Sequence, residues 1–205
     1  ISQNENTGGV PQVNVQFNTW YTERVAEFDT ISGDPVENSA GDPYSPRPVV
    51  QIPNDEIIFT RRQSSVDLTR NKDKGKVNST AFNLVGVSIP AYCGMLSDYS
   101  FSVVYDDAGN VEYDVTYAFK TNYKKNQAGT EIGFKLELLN AGFRFLTTAN
   151  DKSTARDYIN DDNTTPIEPV KLNINGTVPL TDPANYKEFL IHETEDFSAW
   201  GLPTA

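Results

Sequence analysis

The chain has 205 residues and a formal net charge of −11, because 28 Asp and Glu outnumber 17 Lys and Arg. Such an acidic chain is repelled by phosphate backbones and by anionic lipid surfaces, which argues against nucleic acid or a membrane as its main partner. Only 38% of the residues are hydrophobic, but 11 Phe, 10 Tyr and 2 Trp supply the apolar area that one sizeable core requires.

The N-terminal quarter predicts an arm followed by the start of a β-rich domain. Residues 1–12 are polar and contain glycine, which is typical of a flexible N-terminal arm. From Val13 onward, apolar and polar residues alternate in short segments, so we expect a single β-rich domain over residues 13–195. Within it, residues 32–48 contain two Gly-Asp-Pro triplets and further prolines, which predict a long Pro/Gly loop.

The segment after this loop predicts a strand and then the one helix of the chain. Residues 56–60 (EIIFT) are apolar and β-prone. Ser64 or Ser65 can cap a helix that extends to about Phe82. Gly75 lies within this helix, beside a very polar stretch at 71–76, so that the helix can also form as two short pieces.

The clearest pattern of the chain is a β-hairpin between residues 101 and 119. The odd-numbered residues at 101–105 and 111–119 are aromatic or β-branched, and most of the residues between them are polar. A short loop containing Gly109 separates the two runs. Alternation with a period of two on both sides of such a loop predicts a hairpin with one buried face, and we expect residues 113–119 to build the core.

Shorter segments with the same alternation follow the hairpin. Apolar residues at 134, 136 and 138 are separated by charged residues, which predicts a half-buried strand. Further strand candidates are residues 141–146, 170–174 and 189–191. The elements together predict a mainly β fold, namely a β-sandwich or partly closed barrel with one flanking α-helix and extended arms.

The candidates for catalysis are a single histidine and a single cysteine. His192 lies in an alternating segment without a marked nucleophile or orienting carboxylate, and we interpret it as a surface strand residue. Cys93 has no basic neighbour, which favours an inert, buried or half-buried thiol. We therefore predict no catalytic residue and no enzyme. A hydrolase stays open as an alternative, because its two catalytic carboxylates are recognised by the distance between them in space, which the sequence does not show.

The sequence predicts no metal site and no cofactor. One His and one Cys cannot supply the four ligands of structural zinc. Oxygen-rich runs at 106–110 and 161–163 lack the spacing of a calcium loop, and turn residues with local side-chain hydrogen bonds explain both runs. Calcium at either run is the alternative. No Gly-rich phosphate loop and no dinucleotide-binding fingerprint is present.

Residues 196–205 (DFSAWGLPTA) predict a docking C-terminal tail. Their apolar side chains are too bulky to remain in water, so we expect them to lie on a surface, either of this chain or of a neighbour. A single cysteine suits a protein that folds in a reducing cytoplasm.

Several segments in fixed order resemble a poorly characterised family of virion structural proteins of tailed bacteriophages, associated with the tail, neck or baseplate. These segments are VENSAGDPY at 36–44, IIFTR at 57–61, YDVTYAF at 113–119, LLNAGF at 138–143 and DFSAWGLP at 196–203. The resemblance spans residues 13–203. It implies a non-enzymatic particle component that folds in the host cytoplasm and then joins the virion.

The resemblance implies function through subunit–subunit assembly, with copies of itself in a symmetric homo-oligomer and with other virion proteins. We expect the arm, the loop at 32–48 and the tail to make these contacts, so that a chain without residues 196–205 folds but does not assemble. The alternative is a glycan-binding or capsid-decoration (adhesin) module that uses Trp20 or Trp200. The candidate interface residues are Pro43, Tyr44, Pro46, Phe197, Trp200 and Leu202.

Overall fold

The computed structural model of the chain describes residues 12–16, 21–22, 30–31, 34–44, 48, 52–53, 55–178 and 185–203. The fold is mainly β, as the sequence predicts, and its only helices among the described residues are short 3-10 helices. The strands in chain order are β1 (Gln12–Gln16), β2 (Tyr21–Thr22), β3 (Thr30–Ile31), β4 (Asp34–Pro35), β5 (Ile52–Pro53), β6 (Glu56–Gln63), β7 (Val77–Asn78), β8 (Phe82–Leu84), β9 (Val87–Ile89), β10 (Gly94–Tyr105), β11 (Val111–Thr121), β12 (Leu136–Leu139), β13 (Ala141–Gly142), β14 (Arg144–Leu146), β15 (Ala155–Asp157), β16 (Val170–Lys171), β17 (Tyr186–Phe189) and β18 (Thr194–Glu195). The 3-10 helices are η1 (Leu68–Asp73), η2 (Lys152–Thr154) and η3 (Phe197–Trp200).

The chain divides into two compact units. Unit 1 consists of Ile1–Thr22, Ile52–Phe134 and His192–Ala205, and unit 2 consists of Glu23–Gln51 and Lys135–Ile191. The single domain expected over residues 13–195 stays a prediction, because compactness alone does not show whether a unit folds independently. The expected flexible arm at 1–12 lies outside the described residues except for Gln12, which begins β1.

Unit 1 is organised around one six-stranded sheet with the strand order β1-β6-β11-β10-β7-β18. All neighbours are antiparallel except β18, which runs parallel to β7. The predicted hairpin and the strand at 56–60 are confirmed as β10–β11 and β6. None of the sheets formed by the described residues closes into a barrel.

The core of unit 1 lies on one face of this sheet. Phe59 of β6 and Tyr117 of β11 are register partners, and their rings stack with centroids 4.9 Å apart. Val115, Tyr117 and Phe119 are fully buried, which confirms that the segment at 113–119 contributes to the core. Phe82 and Ile89 of the small β8–β9 hairpin belong to the same cluster.

The helix expected from Ser64 to Phe82 is wrong. This segment forms the six-residue η1 and then β7 and β8. Of η1, only Asp73 is buried, so the segment offers no apolar stripe that could hold an α-helix against the core. Gly75 follows η1 with a φ of +86° and turns the chain into β7, where Val77 pairs with Met95.

Unit 2 consists of short two-stranded pairings, namely β3–β4, β12–β17, β13–β16 and β14–β15. Two buried asparagines connect its segments. Asn38 accepts hydrogen bonds from the backbone N–H groups of Ala40 and Asp42 and donates to the carbonyl of Ala141. Asn140 accepts from Ser39 and donates to the carbonyls of residues 172 and 173. Buried amides of this kind fix the loops through satisfied hydrogen bonds.

Candidate functional site

The turn of the β10–β11 hairpin is fixed by one aspartate and one glycine. The Asp106 carboxylate accepts from the backbone N–H groups of Ala108 and Asn110 and from the Asn110 side chain, all within 3.0 Å. Gly109 has a φ of +81°, as a three-residue hairpin loop with a left-handed third position requires. These local bonds hold the two strands in a single register out to their tip.

The half of the hairpin that lies farthest from its turn is covered by the C-terminal tail. Asp196 caps η3 by accepting from the N–H and hydroxyl groups of Ser198, and Gly201 ends η3 with a φ of +60°. Phe197, fully buried, lies 5.2 Å from the ring of Phe119 and 4.9 Å from that of Trp200. The tail therefore contributes to the core of unit 1.

Two arginines lie at the boundary of this covered region. The Arg70 guanidinium lies 4.4 Å from the centre of the Trp200 ring and donates a 2.8 Å hydrogen bond to the Tyr117 hydroxyl. Arg61 donates to the carbonyl of Gly201 at 2.7 Å and also lies over the Tyr117 ring. Cation–π contacts and charged hydrogen bonds of this kind stabilise a partly buried boundary.

The other half of the same face is uncovered. Register pairs place Phe101, Val103 and Tyr105 of β10 beside Val115, Tyr113 and Val111 of β11 on the face that carries the core. Phe101 is 40% exposed, Val103 52%, Tyr105 69% and Val111 47%. We call these four residues the open face. A contiguous exposed apolar patch on a folded protein marks a contact surface.

The opposite face of the hairpin is polar. Arg62 of β6 binds Asp114 of β11 through two hydrogen bonds of 3.0 and 3.2 Å and lies 3.6 Å from Glu112. Thr60 and Thr116 exchange a hydrogen bond on this side. The ion pairs of Arg62 and the bond between the two threonines lie on the side of the strands opposite the open face.

The open face adjoins a free strand edge. β7 pairs with β10 at Met95 alone, so from Ser100 to Tyr105 no described strand covers the outer edge of β10. The seven residues 99–105 (YSFSVVY) contain no charge, no proline and no glycine. Edge strands are usually protected by such residues, because unpaired N–H and C=O groups accept a further strand.

The predicted interface residues of the tail lie against their own chain. Phe197 and Leu202 are buried in the core of unit 1, and Trp200 is half-buried between Tyr117, Phe197 and Arg70. Their role in contacts between subunits stays a prediction. The surface on which the tail docks belongs to the same chain. The physical reason is that the sheet offers a matching apolar face nearby.

The predicted interface residues of the loop at 32–48 belong to unit 2. Pro43 is exposed, and its backbone forms an isolated antiparallel β-bridge with that of Glu37. Tyr44 is half-buried against the ring of Phe189, 6.1 Å away, and burial raises the pKa of its hydroxyl to about 12. Pro46 lies outside the described residues. The loop is also more closely packed than expected, since Val36, Asn38 and Ala40 within it are buried.

The histidine and the cysteine both occupy buried positions. His192 lies between β17 and β18 in no strand, half-buried, with its ring 5.9 Å from that of Phe134. This differs from the surface strand position that we expected. Burial lowers the pKa of His192. Cys93 is fully buried, and desolvation and the nearby charge of Glu131 raise the pKa of its thiol to about 11, which makes the thiol unreactive.

The two oxygen-rich runs form turns. Asp106 serves its own hairpin turn, as described above, and Asp162 accepts from the N–H and hydroxyl groups of Thr164. In the described ranges, no group of three His, Cys, Asp or Glu side chains could hold a metal ion. Within the same ranges, no helix has the length and apolar character needed to cross a membrane.

Comparisons of this chain with known protein families, with curated proteins and with solved structures gave no match. The open face therefore has to be interpreted from its own geometry. Sequence reasoning did not select its four residues, because they continue the same alternation as the buried half of the hairpin. The available signal was the absence of charge at 99–105.

Proposed function

We propose that this protein is a non-enzymatic structural subunit of a tailed-phage virion, in the tail, neck or baseplate, which acts by subunit–subunit assembly. The observation that carries the proposal is the open face of the hairpin with its adjoining free edge. Exposed apolar area costs solubility, so a folded chain that retains it uses it for contact. The resemblance of the sequence to phage virion proteins supplies the kind of particle.

The charge distribution supports an assembly role for the hairpin. The chain carries a net charge of −11, which keeps it soluble before assembly, yet residues 99–105 carry no charge. On a chain with this many acids, an uncharged edge is where another subunit can approach without repulsion. The fold that we propose is a β-sandwich, in which η3 and the β8–β9 hairpin form the layer over the six-stranded sheet of unit 1.

The test is the mass of the purified protein by light scattering over a concentration series, alone and after co-expression with neighbouring virion proteins. We expect a defined oligomer or a stable co-complex. A strict monomer that ignores these neighbours would overturn the proposal. It would make the glycan-binding or capsid-decoration module the leading function, for which the exposed ring of Tyr105 is the surface to mutate on a glycan array.

A further inference from the structure

The backbone of β10 has a free side whose direction follows from the hairpin turn. The N–H of Asp106 donates to the carbonyl of Asn110 at 3.0 Å, so these two residues form a hydrogen-bonded pair across the hairpin. Such pairs recur at every second residue of an antiparallel ladder. The even-numbered residues 102 and 104 therefore bond to β11, and the N–H and C=O groups of residues 101, 103 and 105 face outward.

The usable length of this edge is limited at one end. The residues on either side of η1 bind β10. Lys74, which follows η1, forms an ion pair of 2.7 Å with Asp98, and the N–H of Asp67, which precedes η1, donates to the Tyr99 hydroxyl. At the other end, the hairpin turn begins at Asp106. The free edge is thus the segment Phe101–Tyr105, which presents three outward-facing residues.

We propose that this edge pairs antiparallel with the same edge of a second copy of the chain, about a twofold axis at Val103, and so forms one continuous sheet across two subunits. This pairing rests on the proposed function, and it identifies a second copy of the chain as the partner in assembly. A twofold axis makes the interface self-complementary, since each contact between residues i and j occurs twice. Strand addition at an exposed edge is an established mode of protein recognition.

The register follows from three constraints. Antiparallel partners must both face outward, so the axis passes through residue 102, 103 or 104. An axis at Val104 would place Phe101 opposite Asp107, which belongs to the hairpin turn. An axis at Ser102 would place Tyr105 of the second copy opposite Tyr99, whose hydroxyl already accepts from the N–H of Asp67, the residue before η1. An axis at Val103 pairs Phe101 with Tyr105 and Val103 with Val103, and it stays within the free edge.

The side chains are complementary in this register. Phe101 and Tyr105 form an aromatic cross-strand pair twice, and the two Val103 side chains form a β-branched pair at the axis, both of which stabilise sheets. The side chains of Phe101, Val103 and Tyr105 of one copy thus lie beside those of the other copy on the same face of the joined sheet. Residues of this segment carry no charge, so the pairing brings no like charges together at its centre.

Charge complementarity flanks the central pairs. Asp106 of one copy lies opposite Ser100 of the other and diagonal to Asp98, whose carboxylate is bound by Lys74 at 2.7 Å. Diagonal neighbours lie about 7–8 Å apart, which is within reach of a lysine side chain. Lys74 therefore lies between two carboxylates from different subunits and reduces their repulsion.

The experiment compares Val103→Lys with Val111→Lys by light scattering and sedimentation over a concentration series. Both residues are exposed on the open face, but only Val103 lies on the free edge. We expect Val103→Lys to weaken dimerisation at least tenfold, because it places two lysines across the axis. Val111→Lys is the matched control, with a change below about threefold. Circular dichroism and thermal unfolding verify that both variants fold.

A second variant tests the register independently of affinity. Oxidised Val103→Cys should form a covalent dimer on a non-reducing gel, because opposite residues of a ladder lie within disulfide range. Val111→Cys should remain monomeric on the same gel, and the native Cys93 is buried in both.

The outcomes separate this inference from the proposed function. Oligomers that persist in Val103→Lys, with no cross-linked Val103→Cys, would overturn the edge pairing and leave the assembly role intact. A monomer that still binds neighbouring virion proteins would likewise overturn the pairing alone. A monomer that binds none of them would overturn both.

Discussion

The two halves of the β10–β11 hairpin have the same alternation and opposite environments. In the half farthest from the turn, Tyr117 and Phe119 are fully buried beneath η3. Toward the turn, Phe101, Val103 and Tyr105 occupy the same face and remain exposed. Among the described residues, η3 packs on the first half, while Phe101, Val103 and Tyr105 in the second half stay exposed. Alternation thus predicts which side of a strand is apolar, and a covering segment decides how far along the strand that side is buried.

Removal of the covering segment is expected to have the largest effect. A chain without residues 196–205 loses Phe197, Trp200 and Leu202 from the core, at a cost above the roughly 3–5 kcal/mol of one Phe→Ala change. That cost approaches the whole stability of a typical domain, about 5–15 kcal/mol. We therefore expect no cooperative thermal unfolding transition. The sequence alone predicts a folded chain that fails to assemble, and the same unfolding measurement decides between the two predictions.

The control for this truncation is a chain that lacks only Thr204 and Ala205, which retains all the contacts named above. It should unfold cooperatively, like the full chain. A soluble chain without residues 196–205 that still shows a sharp transition would mean that the tail is dispensable for the core, and the contrast between the two halves would then need another cause.

A matched pair of substitutions compares the halves directly. Phe197→Ala should lower the free energy of unfolding by about 3–5 kcal/mol, because it leaves a cavity among Phe82, Phe119 and Trp200. Phe101→Ala should lower it by about 1 kcal/mol or less, because the ring is already 40% exposed. Urea denaturation measures both. Equal costs would show that the open face is covered in solution by the chain itself.

The arginine at the boundary is expected to contribute less. Arg70→Ala removes the hydrogen bond to the Tyr117 hydroxyl and the cation–π contact with Trp200, at a cost of about 1–2 kcal/mol. Arg156→Ala is the control, since Arg156 is exposed on β15. Denaturation of the two variants should differ by this amount, and equal stabilities would mean that Arg70 does not hold the tail in place.

The smallest expected effect is a pH-dependent coupling at the same boundary. The Lys74 ammonium lowers the pKa of Asp98 below its unfolded value, so the pair stabilises the fold above the unfolded pKa, and this contribution is lost as the pH falls through the folded pKa. Both groups are well exposed, so we expect only a few tenths of a kcal/mol at pH 7. A double-mutant cycle of Lys74→Met and Asp98→Asn measures it. A coupling that does not decline toward pH 3 would contradict this assignment.

The sequence predicted the strands more reliably than the helix, and particular residues explain why. In β11, aromatic and β-branched residues recur at every second position, which places them all on one face of a strand. β11 forms such a strand by pairing with β10 on one edge and with β6 on the other. The segment from Ser64 to Phe82 contains capping residues but no apolar stripe, so local helix signals yielded to pairing of Val77 with Met95. Local propensity is overridden where the sheet offers a better partner.

The candidate site was less predictable, since exposure depends on contacts between distant segments. Phe197 and Trp200 were selected because bulky apolar residues near a chain end suggest docking, and their docking on their own sheet could not be read from the sequence. The open face was overlooked, because Phe101 and Tyr117 carry the same local signal. Only the position of η3 over the sheet distinguishes them.

The sequence by itself determined that the chain is acidic, mainly β and built around the hairpin at 101–119, because charge, β-branched content and alternation are local properties. The tertiary structure alone decided that the tail completes the core of unit 1. It also decided that no strand of the described residues pairs with the outer edge of β10 from Phe101 to Tyr105. Both depend on how segments far apart in the sequence pack, as Phe119 and Phe197 do, and no short segment encodes such packing.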